Sequence, residues 1–191
     1  MSKRYRLPAW AYAGGILTLF AVQAALLYVM GHPSICTCDY IKLWHGVVIS
    51  PENSQHIADW YSFSHIIHGF IFYWISWLLF PKAPLLLRLF AAVSFAASWE
   101  VLENSDFVIN RYREATISLD YYGDSIVNSI MDTVFMVVGF IIARRLPFLV
   151  TIGLALAMEL IVGYIIRDNL TLNIIMLLHP FQFILTWQAG V

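Results

Sequence analysis

Charge is scarce in this chain: 12% of its 191 residues are Asp, Glu, Lys or Arg, about half the share of an ordinary soluble domain. That shortage excludes a soluble globular enzyme. Disorder is excluded as well, because it needs low hydrophobicity with high charge, and here 60% of the residues are hydrophobic. Cysteine is nearly absent, with two residues in all, so the chain is no secreted module stapled by several disulfides. Nor is there an excess of positive charge: the formal net charge of -1 leaves no basic face for nucleic acid. Also missing are a Gly-rich phosphate loop, a Ser-His-Asp signature, a HExxH zinc helix and a haem-attachment motif. No repeat or low-complexity tract breaks the pattern.

What the sequence has instead is a series of uncharged runs, and about 20 helical residues cross the roughly 30 Å of bilayer hydrocarbon. The first runs from Ala9 to Met30, too long for a signal-peptide core and without a small-x-small cleavage site before Gly31, so it reads as a membrane anchor. The second runs from Tyr61 to Phe80. The third starts near Leu85 and carries Arg88 at one end and Glu100 and Glu103 at the other. Ser125 to Ala143, with Asp132, and Leu146 to Ile166, with Glu159, are the fourth and fifth. The sixth, Leu170 to Trp187, holds His179 and is broken by Pro180, which marks a kink or a re-entrant turn.

This is the pattern of an all-α, polytopic membrane bundle of about six transmembrane helices, forming one domain over residues 1–191. Basic residues set its orientation. Lys3, Arg4, Arg6, Lys82, Arg88, Arg144 and Arg145 fall on the N-terminal side, against Lys42, Arg111, Arg113 and Arg167 on the other. Both termini are therefore expected in the cytoplasm. Two long segments, residues 31–60 and 104–123, are expected in the periplasm, with the second lying along the interface as an amphipathic piece. Their apolar residues, Trp44, Ile57, Trp60, Tyr112 and Ile117, predict that both segments fold down over the helix ends.

Ionisable groups inside a bilayer cost a few kcal/mol each, so each one is a site hypothesis. Four helices bring such groups to the same outer half. His65 and His68 share one face of the second helix at i, i+3, as Glu100 and Glu103 do on the third, which Asn104 follows. Asp124, Asn128 and Asp132 form an i, i+4, i+8 stripe on the fourth, and the fifth adds Glu159. A shared cavity of imidazoles and carboxylates suits a divalent metal: zinc for a His-rich set, magnesium or manganese for a carboxylate-rich one. Such crowded acids need either that cation or protons. Expected metal ligands are His65, His68, Glu103 and Asp132, and expected catalytic groups are Glu100, Glu103, Asp124 and Asp132. Arg111, Arg113 and Arg167, with Asn104 and Asn128, would bind an anionic substrate.

Other readings stand beside these. The histidines serve equally well as helix-helix hydrogen-bond partners. Asp124 after Gly123 reads as an N-cap after a tight turn, and Glu159 with Arg167 reads as an ion pair. Cys36 and Cys38 are separated by one residue, a spacing that strains a bridge and favours free thiols, pairing with another chain or ligation. His45 and His56 in the same segment either add ligands or are simply solvated.

Trp99-Glu100-Val101-Leu102-Glu103-Asn104, the run from Tyr121 to Ser129 through Gly123-Asp124, and Arg167-Asp168-Asn169-Leu170-Thr171-Leu172-Asn173 give a pattern that resembles the bacterial membrane family labelled domain of unknown function 2585. The resemblance covers most of the chain from Cys36 onward and implies a bacterial inner-membrane setting. More loosely, the order His65 and His68, then Glu100 and Glu103, then Asp124 with Asp132 and Gly139 is similar to VanZ-like membrane proteins, which implies a role at the envelope. The function expected is a metal-dependent hydrolase or transferase acting on a membrane lipid or lipid-linked substrate from the periplasmic face. The alternative is a non-catalytic subunit or assembly factor that binds a lipid head group or a membrane-protein partner. An ion-coupled carrier is disfavoured, because the intramembrane charge lies in one half and leaves no polar path across.

Overall fold

The computed structural model describes residues 7–116 and 121–190. Lys3, Arg4, Arg6 and Ile117 lie outside the described residues. Within them all regular structure is helical: α1 (Ala9–Val29), α2 (Ser62–Leu79), α3 (Leu85–Glu103), α4 (Asp106–Ala115), α5 (Ile126–Arg145), α6 (Phe148–Ile166), α7 (Leu170–Leu178) and α8 (Gln182–Ala189). Pro8, Pro84 and Pro147 stand immediately before α1, α3 and α6, where a missing N–H costs no hydrogen bond. Ser105, Ser125 and Asn169 cap α4, α5 and α7, each accepting from a backbone N–H three residues on.

Five helices, α1, α2, α3, α5 and α6, are long and apolar enough to cross a membrane. The protein is a helical membrane bundle. Helix α6 buries only Thr151, Val162 and Gly163, so nearly its whole circumference is apolar and outward-facing, as a helix solvated by lipid must be.

The sixth expected span is not a span. Pro180 offers no N–H and forces His179 into an extended conformation, φ -151 and ψ 109, which splits the segment into α7 and α8. Neither piece, at 9 and 8 residues, reaches even half of the roughly 30 Å needed. The chain then folds back: Arg167 donates to the Trp187 carbonyl (3.1 Å) and Gln188 Nε2 to Asp168 Oδ1 (3.2 Å). The end of α8 thus returns to the start of α7, at the end of the bundle opposite the start of α1.

The centre of the bundle is α2 against α5, with α3 across them, around Phe70, Tyr73, Ala92, Val93, Ala96, Met136, Phe140 and Ala143. Helices α2 and α5 run parallel, since His65 meets Asp132 near one end and Tyr73 meets Phe140 further along. Their backbones touch at two glycines. A Cβ on Gly69 would overlap the Met136 carbonyl oxygen and the Phe140 nitrogen, and one on Gly139 would overlap the Ile66 carbonyl. Helix α1 is held to α5 by Gln23, whose Nε2 donates to the Ser129 carbonyl (3.0 Å) and Oγ (2.9 Å) while its Oε1 accepts from Thr133 (3.1 Å).

Both long segments fold over the polar end of the bundle, as expected. Residues 31–60 supply carbonyls to the open N-terminus of α5: Ser125, Ile126 and Val127 donate their N–H groups to Ser54, Pro33 and Ser34 (3.0, 2.9 and 3.2 Å). Gly123, at φ +90, has no room for a Cβ between His32, Ile109 and Asn104. Tyr112 is buried, whereas Trp44 stays about half exposed, edge-on to Trp60. The second segment contains the amphipathic α4, which buries Val108, Ile109, Tyr112 and Ala115.

Because the glycine contacts are backbone to backbone, no side-chain movement relieves an added methyl. Gly139→Ala is expected to cost about 1–3 kcal/mol by forcing α2 from α5, read as a lower unfolding midpoint in detergent micelles. Gly153→Ala on α6, where nothing lies within 4 Å of the new Cβ, serves as the control and is expected to leave the midpoint unchanged or raised.

Candidate functional site

A cavity of about 400 Å³ lies between α2, α3, α5 and α7 under the folded-over segments. Its two halves differ. The polar half carries Tyr61, His65, Glu100, Glu103, Tyr112, Tyr121, Asp124 and Asp132, and the other half is Phe72, Phe95, Ala96, Met136, Ile174, Leu177 and Leu178. Phe95 and Leu178 are largely exposed, so the apolar half reaches the lipid-facing flank of the bundle.

Where α2, α3 and α5 meet, His65 sits between two carboxylates. Its Nδ1 is 3.4 Å from Glu100 Oε1 and its Nε2 is 3.7 Å from Asp132 Oδ2. One ligand atom from each of His65, Glu100 and Asp132 falls within 4.8 Å of the other two. Glu100 Oε2 accepts from Ser129 Oγ at 2.8 Å, while Asp132 Oδ1 is buried without a hydrogen-bond partner. A neutral imidazole has one N–H and one lone pair, so it satisfies one flanking carboxylate and repels the other. Balance therefore requires extra protons or a cation.

The remaining predicted residues are divided by the structure. His68 lines the cavity, stacked on Phe72 (5.9 Å) and edge-on to His65 (5.7 Å). Glu103 also lines it, next to the Tyr112 hydroxyl, which lies 2.9 Å from Glu103 Oε1 and 2.6 Å from Asn173 Oδ1. Neither His68 nor Glu103 belongs to the three-donor group of His65, Glu100 and Asp132. Asp124 is not an N-cap, a task that falls to Ser125. Its carboxylate enters the cavity, accepting from Asn104 Nδ2 (2.8 Å) and Tyr121 (3.0 Å). Asn104 also accepts from the Asp124 N–H at 2.6 Å, and Asn128 Nδ2 donates to the His56 carbonyl at 2.8 Å. Neither asparagine is part of the cavity wall; both fix the elements that are.

The expected arginine clamp is absent. Arg111 Nε donates to the Leu177 carbonyl (2.9 Å), Arg113 lies 4.8 Å from the Tyr122 ring centre and Arg167 is held on Trp187. No Lys or Arg lines the cavity among the described residues. Glu159 is not paired with Arg167. It reaches from α6 to the start of α7, accepting from the Leu170 and Thr171 N–H groups at 3.0 Å each. Sequence reasoning also missed the α7 wall and the phenols of Tyr61, Tyr112 and Tyr121; the aromatic run around the second segment was the available signal.

In the first long segment Cys36 and Cys38 are joined by a disulfide, with Cα atoms 5.1 Å apart, against the expectation from their spacing. Glu52 is held at about 2 by hydrogen bonds from Lys42, His56 and Tyr40. Burial pushes Asp59 up to about 6. It does the same to Asp168, although Tyr61 and the Asn169 N–H favour the charged form there. Asp124 is also raised, burial again being the main cause.

A family model described as "Protein of unknown function (DUF2585)" matches residues 27–190. The chain belongs to this family. It is 57% identical over 176 residues to a UPF0314 protein of Brucella anthropi, covering 92% of this chain and 89% of that one. Against a UPF0314 protein of Rhizobium meliloti it is 52% identical over 189 residues, 99% and 95% of the two chains. One from Sphingopyxis alaskensis is 52% identical over 172 residues, 90% and 92%. No solved structure matches. The family's match from residue 27 takes in the whole cavity and both long segments.

An acid whose folded value lies above its unfolded one binds its proton more tightly when folded, so stability is greatest at low pH and falls as pH rises. For Asp168 that window runs from 3.8 to about 6. Asp168→Asn is expected to remove its part, shrinking the difference in thermal midpoint between about pH 4 and about pH 7. A midpoint-against-pH profile in micelles that superimposes on the unmodified protein's would contradict this.

Proposed function

We propose that this chain is a membrane-embedded, metal-dependent hydrolase or transferase acting on a lipid or lipid-linked envelope substrate at the periplasmic face of the bacterial inner membrane. The observation that carries the reading is the convergence of His65, Glu100 and Asp132 at one end of a cavity whose other end is apolar and reaches the bundle's flank. Two carboxylates balance one divalent charge, and the imidazole makes a third ligand, leaving positions for water and substrate. Zinc, magnesium or manganese there would supply Lewis acidity and a bound water of lowered pKa.

The chain's own residues do the rest. Asp132 Oδ1, unpartnered and buried, is the free carboxylate oxygen of the group. Glu103 and Asp124, further along the wall, hold or pass a proton to a substrate oxygen, with Tyr112 and Tyr121 orienting them. With no Lys or Arg in the lining among the described residues, an anionic head group is met by the cation rather than by arginine. The acyl or prenyl chain takes the Phe72, Phe95, Ile174 and Leu177 side, which water leaves without cost.

Metal analysis of the purified protein is the test. One divalent ion per chain is expected, lost in Glu100→Gln and Asp132→Asn while the thermal midpoint is kept. Metal-dependent release or transfer of a head group from inner-membrane lipid extract should disappear in the same variants. Metal content that survives both substitutions, or a purified protein that takes up no divalent ion, overturns the reading.

Orientation belongs to the same proposal. With Lys82, Arg88, Arg144 and Arg145 at one end of the bundle and the cavity at the other, the start of α1 faces the cytoplasm and the end of α8 faces the periplasm. An alkaline phosphatase fused after Val191 is expected to be active, and one inserted at Lys82 inactive; the opposite pair of results would defeat this arrangement.

A further inference from the structure

The first long segment contains a second set of donors, separate from the His65, Glu100 and Asp132 group. One ligand atom each from Cys36, Cys38, Glu52 and His56 lies within 4.8 Å of the others. Cys36 and His56 are buried and the other two half-buried. This is a sulfur, nitrogen and oxygen set of four, the number a tetrahedral zinc site requires. A cation already stands against it: the Lys42 ammonium is paired with Glu52, and the Tyr40 hydroxyl donates to the same carboxylate at 2.9 Å.

The His56 ring is oriented for the task. Its Nδ1 accepts from the Lys42 N–H at 3.3 Å, so the proton is on Nε2, which donates to Glu52 Oε2 at 3.0 Å. Nε2 and the carboxylate therefore face one another across the place where an ion would join them. The sulfurs are bonded to each other in this state, and a disulfide offers no thiolate to zinc.

We propose that the Cys36–Cys38 disulfide and a Cys36, Cys38, Glu52 and His56 zinc site are two states of one redox-gated centre. A dithiol reductant transfers two electrons and two protons to the disulfide, giving two cysteine thiols and the reductant's own disulfide. Zinc then replaces the two thiol protons, which go to solvent, and displaces the Lys42 ammonium from Glu52. The His56 proton moves through solvent from Nε2 to Nδ1, giving up the 3.3 Å contact with the Lys42 N–H. The sulfurs must separate to about 3.8 Å, the spacing of two ligands 2.3 Å from one tetrahedral ion. Lys42, more than a third exposed, has room to swing into solvent.

The consequence reaches the cavity. Glu52 is followed directly by Asn53 and Ser54, which line it, and the Ser54 carbonyl anchors the segment to the Ser125 N–H. Loading the outer centre thus stiffens the part of the lid that closes over the polar half.

Cobalt(II), a spectroscopic stand-in for zinc, reads this centre without interference, because the His65 group has no sulfur. The full chain in micelles is reduced with a phosphine, freed of reductant and titrated with cobalt. The expected result is a thiolate-to-cobalt charge-transfer band that grows with the uptake of one ion per chain beyond any taken up by the unreduced protein, is bleached by zinc and is absent from the unreduced protein. Glu52→Gln and His56→Ala are each expected to weaken zinc binding by roughly tenfold or more, and Cys38→Ser to abolish the band. The proposal is overturned if the reduced, unmodified chain gives no such band. It is also overturned if the band and the affinity are unchanged in both Glu52→Gln and His56→Ala, which would leave two thiols acting as a simple chelator.

Discussion

The backbone contact between α2 and α5 is the constraint from which the interior follows. Gly69 lies one turn below His65 on the same face of α2, and Met136 lies one turn below Asp132 on α5. With the two chains pressed together at those levels, the side chains one turn nearer the polar end have nowhere to go but toward each other. The 3.7 Å between His65 Nε2 and Asp132 Oδ2 is thus a consequence of a glycine placed four positions from His65 on α2 and another placed seven positions from Asp132 on α5. Lipid gives no hydrophobic drive for such an approach, so it rests on van der Waals contact that only glycine permits. Glu100 completes the group because Ala92, Val93 and Ala96 bring α3 close to the same pair.

Bringing acids together at this depth creates a second requirement, which the long segments meet. Helix α5 begins beneath residues 31–60, so its first N–H groups would be stranded without the Pro33, Ser34 and Ser54 carbonyls. The lid is therefore attached by obligatory backbone hydrogen bonds rather than by apolar contact alone. Asn104 and Asn128 belong to this scaffold: one clamps Asp124 through both its N–H and its carboxylate, and the other holds the His56 carbonyl. Both were read in the sequence as substrate contacts because they share spacing with the acids. Spacing identifies a face of a helix, but not whether that face meets a void or another backbone.

Much of this was legible in the sequence because lipid imposes strict rules on helix length and polarity. The five long helices, the amphipathic α4 and the convergence of His65, Glu100 and Asp132 all follow from hydropathy and i, i+3 or i+4 spacing. Three features did not, each for a physical reason. Pro180 was visible as a break, but the return of α8 depends on Arg167 and Asp168 meeting Trp187 and Gln188, a pairing no periodicity encodes. The three arginines were assigned to an anion by charge alone, while Arg111 and Arg167 donate to carbonyls and Arg113 lies over the Tyr122 ring. The Cys36–Cys38 bond ran against the reading of its spacing because the backbone at Thr37 holds the two Cα atoms 5.1 Å apart, within the range a disulfide spans.

What separates building acids from site acids in this molecule is whether their oxygens are met. Glu159 and Asp168 both accept backbone N–H groups, and Asp168 also accepts from Tyr61 and Gln188. Those contacts hang α7 from α6 and close the hairpin, so the fourth wall of the cavity exists because two carboxylates are consumed in making it. Glu103 and Asp124 are met by side-chain donors, Tyr112 for the one and Asn104 and Tyr121 for the other. Asp132 keeps one oxygen with no partner at all. In a dry interior an unmet carboxylate oxygen is costly for a helix to carry, and here the residue that carries it lines the cavity. The gradient from satisfied to unsatisfied acid runs from the wall inward to the donor group of His65, Glu100 and Asp132, which is the direction in which a bound cation would be felt.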